Sequence, residues 1–113
     1  MGMEFGLGNK REALLRVELA RILAEIKKLH PAKVILFGSL NEHNTNRSSD
    51  IDIAIIRDTE KGFSARLDEL YEKVRPNLAV DFFVYTPAEL EKLRSSSYFV
   101  RRMLERGTVL YEA

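Results

Sequence analysis

The chain has no cysteine and no tryptophan, only three prolines and six glycines in 113 residues, and almost no net charge. Without cysteine there is neither disulfide stapling nor thiolate chemistry, and a cytoplasmic setting is the expectation. Eighteen Lys and Arg against seventeen Asp and Glu give a formal charge of +1. That leaves no chain-wide field to draw in nucleic acid or an anionic membrane. No apolar run approaches the roughly 20 residues needed to span a bilayer. The opening "MGMEFGLGNK" lacks the apolar core of a secretion signal. A chain of this length suits one hydrophobic core, so its chemistry is expected to come from a minimal unit or to be completed by a partner.

Because prolines are few, each marks a boundary. Three glycines in the first ten residues predict a mobile terminus over residues 1–9, ahead of one domain spanning 10–113. From Asn9 or Lys10 to about Leu29, the positions Leu14, Val17, Leu19, Ile22, Leu23, Ile26 and Leu29 recur at helical spacing. His30-Pro31 ends that helix, since a residue before proline is pushed out of helical geometry. "KVILF" (33–37) reads as a short buried strand broken by Gly38, and a polar loop follows, with a short helix starting near Ser39 as one option. "DIDIAII" returns to strand character. Phe63, Leu67, Leu70, Tyr71 and Val74 mark a second amphipathic helix that stops before Pro76, and "LAVDFFVYT" (78–86) is a third strand.

Thr86-Pro87-Ala88-Glu89 has the pattern of a capping box with proline at the first helical position. That helix runs to about Leu93, and another covers Tyr98 to Arg106, with Gly107 expected as a left-handed cap. "TVLYE" closes the chain as an edge strand. The predicted fold class is α/β (α+β), a small mixed sheet flanked by helices.

Three acids do not fit a purely structural sheet. Asp50 and Asp52, if both are extended, leave one face about 6.5 to 7 Å apart, while Ile51, Ile53 and Ile55 take the other face. Asp81 lies in the third strand, between Val80 and Phe82, and an aspartate in such a run needs a pair, a hydrogen bond or a metal. If the strands of Asp52 and Asp81 are neighbours, the acids gather at one edge and repel one another unless a cation holds them. Magnesium takes carboxylate and phosphate oxygens together. Two ions about 3.5 to 4 Å apart can hold the attacking and leaving oxygens of a phosphoryl transfer. Gly38-Ser39, directly after a strand, allows close ligand approach and offers amides and a hydroxyl to phosphate. Alone, Gly-Ser is an ordinary turn and Asp-x-Asp is capping or surface charge; it is the combination that points to a site.

Gly-Ser, ten residues, Asp-x-Asp and a later strand aspartate, carried by Gly38, Ser39, Asp50, Asp52 and Asp81, resemble the nucleotidyltransferase superfamily that includes polymerase beta, especially its minimal nucleotidyltransferases. The resemblance covers Lys33 to about Glu91. It implies two Mg2+ ions bound by Asp50, Asp52 and Asp81, and a nucleoside triphosphate, ATP first, held at Gly38 and Ser39. It further implies nucleoside monophosphate transfer with pyrophosphate release. Members of similar size often act as the antitoxin of a small helical ribonuclease-like toxin, and AMP-transferring members modify that toxin on tyrosine. Such a toxin is therefore the partner and acceptor the resemblance implies; no membrane is expected, and nucleic acid ranks lower as a partner because the sequence offers no obvious channel for it. The departures are Leu40, Glu42 and His43, where relatives often carry arginines and a glycine; Arg47 or Lys33 are the candidates to compensate. Two alternatives stay open: a catalytically weak antitoxin that neutralises by binding, and a metal-dependent nuclease.

Other residues carry two readings each. His43 contacts phosphate or is a solvated loop histidine, and His30 partners the helix dipole. Tyr85, Tyr98 and Phe99 stack on a base or pack. Arg94, Arg101, Arg102 and Arg106 form a solvated helix face or bind phosphate or an acidic partner. Asp58, Glu60 and Asp68 read as surface charge.

Overall fold

The computed structural model describes residues 7–113. Their order is α1 (Leu7–Lys27), β1 (Lys33–Phe37), α2 (Gly38–Asn41), β2 (Ile51–Ile56), α3 (Phe63–Val74), β3 (Val80–Tyr85), α4 (Pro87–Ser96), α5 (Tyr98–Arg106) and β4 (Thr108–Glu112). The first helix thus starts before the predicted Asn9 or Lys10, and residues 1–6 of the expected mobile terminus lie outside the described residues. None of the described helices is long and apolar enough to cross a membrane.

The four strands form one mixed sheet in the order β3-β2-β1-β4. β1 is antiparallel to β2 and to β4, whereas β2 and β3 are parallel and joined through α3. Strand alternation divides the core between the two faces. Val34, Leu36, Ile51, Ile53, Ile55, Phe82 and Val84 pack with Leu15, Leu19, Ile22 and Ile26 of α1 and with Leu70 and Val74 of α3. Ile35 and Ala54 point the other way, onto Val100 and Met103 of α5, with Leu90 and Leu93 of α4 alongside. Helices on both faces leave the strand ends as the place where backbone and polar side chains meet solvent.

The helix ends explain themselves locally. At Thr86 the capping box is complete: the Glu89 amide donates to Thr86 Oγ1 at 3.1 Å, and the Thr86 amide donates to Glu89 Oε1 at 2.9 Å. α1 ends ahead of Pro31, where His30 takes a left-handed φ of 56° and its amide donates to the Lys27 carbonyl. α3 ends on Arg75, also left-handed.

Two expectations need correction. Gly107 is not a left-handed cap; its backbone is extended, at φ −70° and ψ 157°. It is required for space instead, because a Cβ there would stand 2.5 Å from Ile35 Cγ2 and 2.5 Å from the Met103 carbonyl oxygen. In α1, Leu14 and Val17 do not face the core; both are largely exposed, and Leu15 takes the buried position.

Candidate active site

The site begins at the C-terminal end of β1. There the chain must turn sharply beside the start of β2, and Gly38 does so at φ +79°. Its lack of a side chain is essential twice over, since a Cβ would lie 2.2 Å from Asp52 Oδ2. Gly38 therefore brings backbone directly against the Asp52 carboxylate. α2 follows at once, with Leu40 fully buried in the core and Ser39 left on the open side.

Register brings the acids together. Asp52 stands opposite Asp81 in the parallel β2-β3 pair and opposite Phe37 in the antiparallel β1-β2 pair. Paired strands lie about 4.8 Å apart, so the two carboxylates are near neighbours. Asp50 sits two residues before Asp52, just ahead of the strand. Ser39, Asp50, Asp52 and Asp81 line one open concavity of about 370 Å³ with Asn44, Asn46, Ser48 and Ser49. Burial, then the charges of Asp81 and Asp50, push the Asp52 carboxyl up to about 6. Asp81 is not embedded as its apolar neighbours suggested: β3 is an edge strand, and the side chain is exposed. The nearby Tyr71 hydroxyl, raised by burial and by the charge of Asp81, donates to the Val80 carbonyl at 2.7 Å.

The loop between the Gly-Ser turn and the acids is held by its own polar groups. The Asn44 amide donates to the Ser39 carbonyl at 2.9 Å, the Ser48 amide to Asn46 Oδ1 at 2.8 Å, and the Asn46 amide to Ser49 Oγ at 2.9 Å. Such Asx-type turns fix a loop that has no regular ladder. α1 clamps it from outside. Arg16 donates to the Leu40 carbonyl at 2.8 Å, and Arg11 donates to the Ser49 carbonyl at 3.0 Å. Arg11 also comes within 3.9 Å of Asp50. These α1 arginines had no sequence signal beyond their place on a charged helix face.

The remaining candidates separate. His43 lies outside the concavity, with Nδ1 2.9 Å from Glu12 and 3.3 Å from Arg16. Lys33 is at the far end of β1, 3.5 Å from Glu112, and cannot serve the Gly-Ser turn. Arg47 is exposed and does not line the concavity. Glu42 turns to Arg106, at 3.5 Å. Phe99 packs edge-on against Phe37 at 5.6 Å and lies 5.3 Å from Phe83, whereas Tyr98 is largely exposed, with the guanidinium groups of Arg101 and Arg102 over its ring at 6.0 and 5.8 Å. Tyr85 is half-buried against α4 and α5. A larger concavity of about 580 Å³ beside Phe63, Tyr85 and Leu93 is mostly apolar, and its Arg66 is engaged by Glu89 at 2.7 and 3.0 Å.

The donor set suits a hard divalent cation. Carboxylate oxygens and a serine hydroxyl share one open face, and the Asp52 carboxyl, raised by burial first and then by the charges of Asp81 and Asp50, is a group whose ionised form a cation would favour. As they stand, no three His, Cys, Asp or Glu side chains among the described residues are drawn together closely enough to hold a metal ion. Asp50 stands 3.9 Å from the Arg11 guanidinium.

No curated protein and no solved structure shows significant similarity to this chain. Residues 18–113 match the family described as polymerase beta, nucleotidyltransferase, which covers the whole sheet, the Gly-Ser turn and all three aspartates. The chain belongs to the polymerase beta nucleotidyltransferase family, and it is a transferase by that membership.

Proposed function

We propose that the protein transfers AMP from ATP to a hydroxyl of a macromolecular acceptor, releasing pyrophosphate. The observation that carries this reading is the juxtaposition of Asp52 and Asp81 in register, with Asp50 and Ser39 on the same concavity and Gly38 against Asp52. Asp50, Asp52 and Asp81 would hold Mg2+, which supplies charge neutralisation at the reacting phosphate when bound. Gly38 admits the nucleotide close to the backbone, and Ser39 offers it a hydroxyl. The acceptor oxygen bonds to the α-phosphorus, the bond from that phosphorus to the β-bridging oxygen breaks, and pyrophosphate leaves. Asp81, exposed at the sheet edge, takes the acceptor's proton.

The acceptor must bring its own binding surface, because the concavity is open and offers no deep second pocket around the acids. Following the resemblance, a tyrosine of a small helical toxin, encoded beside this protein, is the acceptor to test. Incubation with Mg2+, labelled ATP and that acceptor transfers label and releases pyrophosphate, and Asp81→Asn stops both without unfolding the protein. Absence of transfer by folded wild-type protein across all four nucleotides overturns the reading.

A binding-only antitoxin is the second reading. Its support is the contact between Arg11 and Asp50, which ties one of the three acids to the scaffold. Suppression of the partner's activity by an Asp50→Asn, Asp52→Asn variant, without nucleotide, would establish it.

A further inference from the structure

Positions 40–43, directly after Gly38-Ser39, provide no free cation for a triphosphate tail, and Arg47 further along the loop does not line the concavity. Leu40 is buried, the Asn41 amide group donates to the Arg106 carbonyl at 2.9 Å, Glu42 is an anion, and His43 sits with Glu12. A leaving pyrophosphate still needs positive charge. α5 is where that charge lies. Its C-terminal end is tied to α2 by the Asn41 bond, and Arg102 and Arg106 line a cleft of about 160 Å³ together with Gly38, Phe37, Phe99 and Glu42. Arg106 is half-exposed and meets Glu42 at 3.5 Å, while Arg102 rests over Tyr98. Arg11 and Arg16, by contrast, are already engaged with loop carbonyls and acids of the scaffold.

We propose that Arg102 and Arg106 of α5 form the cationic wall that receives the donor's triphosphate tail, and that Glu42 holds this wall through Arg106 until phosphate displaces it. This rests on the nucleotidyltransfer reading above and names the residues that supply the charge positions 40–43 do not. A weak, solvent-exposed pair is the right kind of placeholder, because a phosphate with several charge-assisted hydrogen bonds outcompetes a single carboxylate. Opposite signs follow for the two partners: loss of an arginine weakens triphosphate binding, and loss of the Glu42 charge strengthens it.

The test measures binding of inorganic tripolyphosphate, and of an ATP analogue with a non-hydrolysable α,β-bridge, to the full chain with Mg2+. Arg106→Ala weakens both by about tenfold, as expected for loss of one charge-assisted bond, and Arg102→Ala acts in the same direction. Glu42→Gln tightens both by roughly threefold, the scale of an exposed ion pair. Adenosine binding does not move in any of them. Arg94→Ala, on the same basic run but lining a different surface, is without effect. Tripolyphosphate affinity unchanged in the Arg102→Ala, Arg106→Ala double variant, while wild type binds and transfers, overturns this inference alone. So does Glu42→Gln binding no tighter than wild type. Wild-type protein that binds no triphosphate overturns both this inference and the function it rests on.

Discussion

Replacing Asp52 with asparagine should make the metal-free protein more stable while destroying its proposed activity. The Asp52 carboxyl is pushed from 3.8 up to about 6, by burial first and then by Asp81 and Asp50. Its ionised form is thus disfavoured in the folded state. A shift of about two units corresponds to roughly 3 kcal/mol at neutral pH. The group is only half-buried, so solvent screening reduces this to about 1–2 kcal/mol. Asparagine removes the charge, keeps the shape and gives Asp81 a donor. For a chain of 113 residues, that gain raises the melting temperature by about 4–8 °C. The pH dependence has a defined sign. As pH rises from about 4 to 6, the unfolded chain releases this proton before the folded chain does, so wild-type stability falls across that window. The advantage of Asp52→Asn is therefore full above pH 6 and gone below pH 4. Thermal melts of both proteins with chelator, at pH 3.5 and pH 7.5, measure it. Equal stability at pH 7.5, or an equal gain at both pH values, would refute the electrostatic account. Added Mg2+ should stabilise wild type and leave the variant unmoved.

Gly38→Ala should cost about 1–2 kcal/mol for its left-handed backbone alone, displace the Asp52 carboxylate and abolish activity; denaturant melts and transfer assays read the two effects. Glu18 is buried, its carboxyl held at about 2 chiefly by Arg21, and it also accepts from the Asn77 amide. Its contribution is present above about pH 4.5 and lost as pH falls toward 2. Glu18→Ala should cost about 2–3 kcal/mol at pH 7 in urea melts, with little effect at pH 2. Gly107→Ala should destabilise by roughly 1–3 kcal/mol through overpacking on Ile35 and the Met103 carbonyl, although its backbone suits any residue; a melt equal to wild type would show that α5 can shift there.

Much of this fold can be read from local rules. "KVILF" lies between a proline and a glycine and forms β1 with those bounds, Phe63 to Val74 forms α3, and the Thr86 capping box is present in both directions. The Asp52 and Asp81 pairing follows from two apolar runs that share a parallel register, a long-range fact the sequence allows without dictating. In α1 and just beyond it, Leu19, Ile22, Leu23, Ile26 and Leu29 pack on the core as their spacing implies, whereas Leu14 and Val17 do not, because the adjacent Leu15 takes the buried place and one step turns the face by about 100°. Glu18 also lies on the buried side, where a carboxylate is tolerable only with Arg21 and the Asn77 amide beside it, a pairing that spacing does not reveal. At Gly107 the sequence alone does not separate backbone freedom from close packing, since glycine serves both and only its three-dimensional neighbours distinguish them. The same limit hid Arg11, Arg16 and the approach of α5 to Gly38: each depends on tertiary placement rather than spacing.

The most direct measurement is the intact mass of the proposed helical partner, co-expressed with this protein, before and after Mg2+ and ATP are added. The account predicts a gain of one or more AMP units on the partner, with matching pyrophosphate, and no gain when Asp50 and Asp52 are both replaced by asparagine. A stable, folded pair whose partner mass never changes with any nucleotide would contradict it.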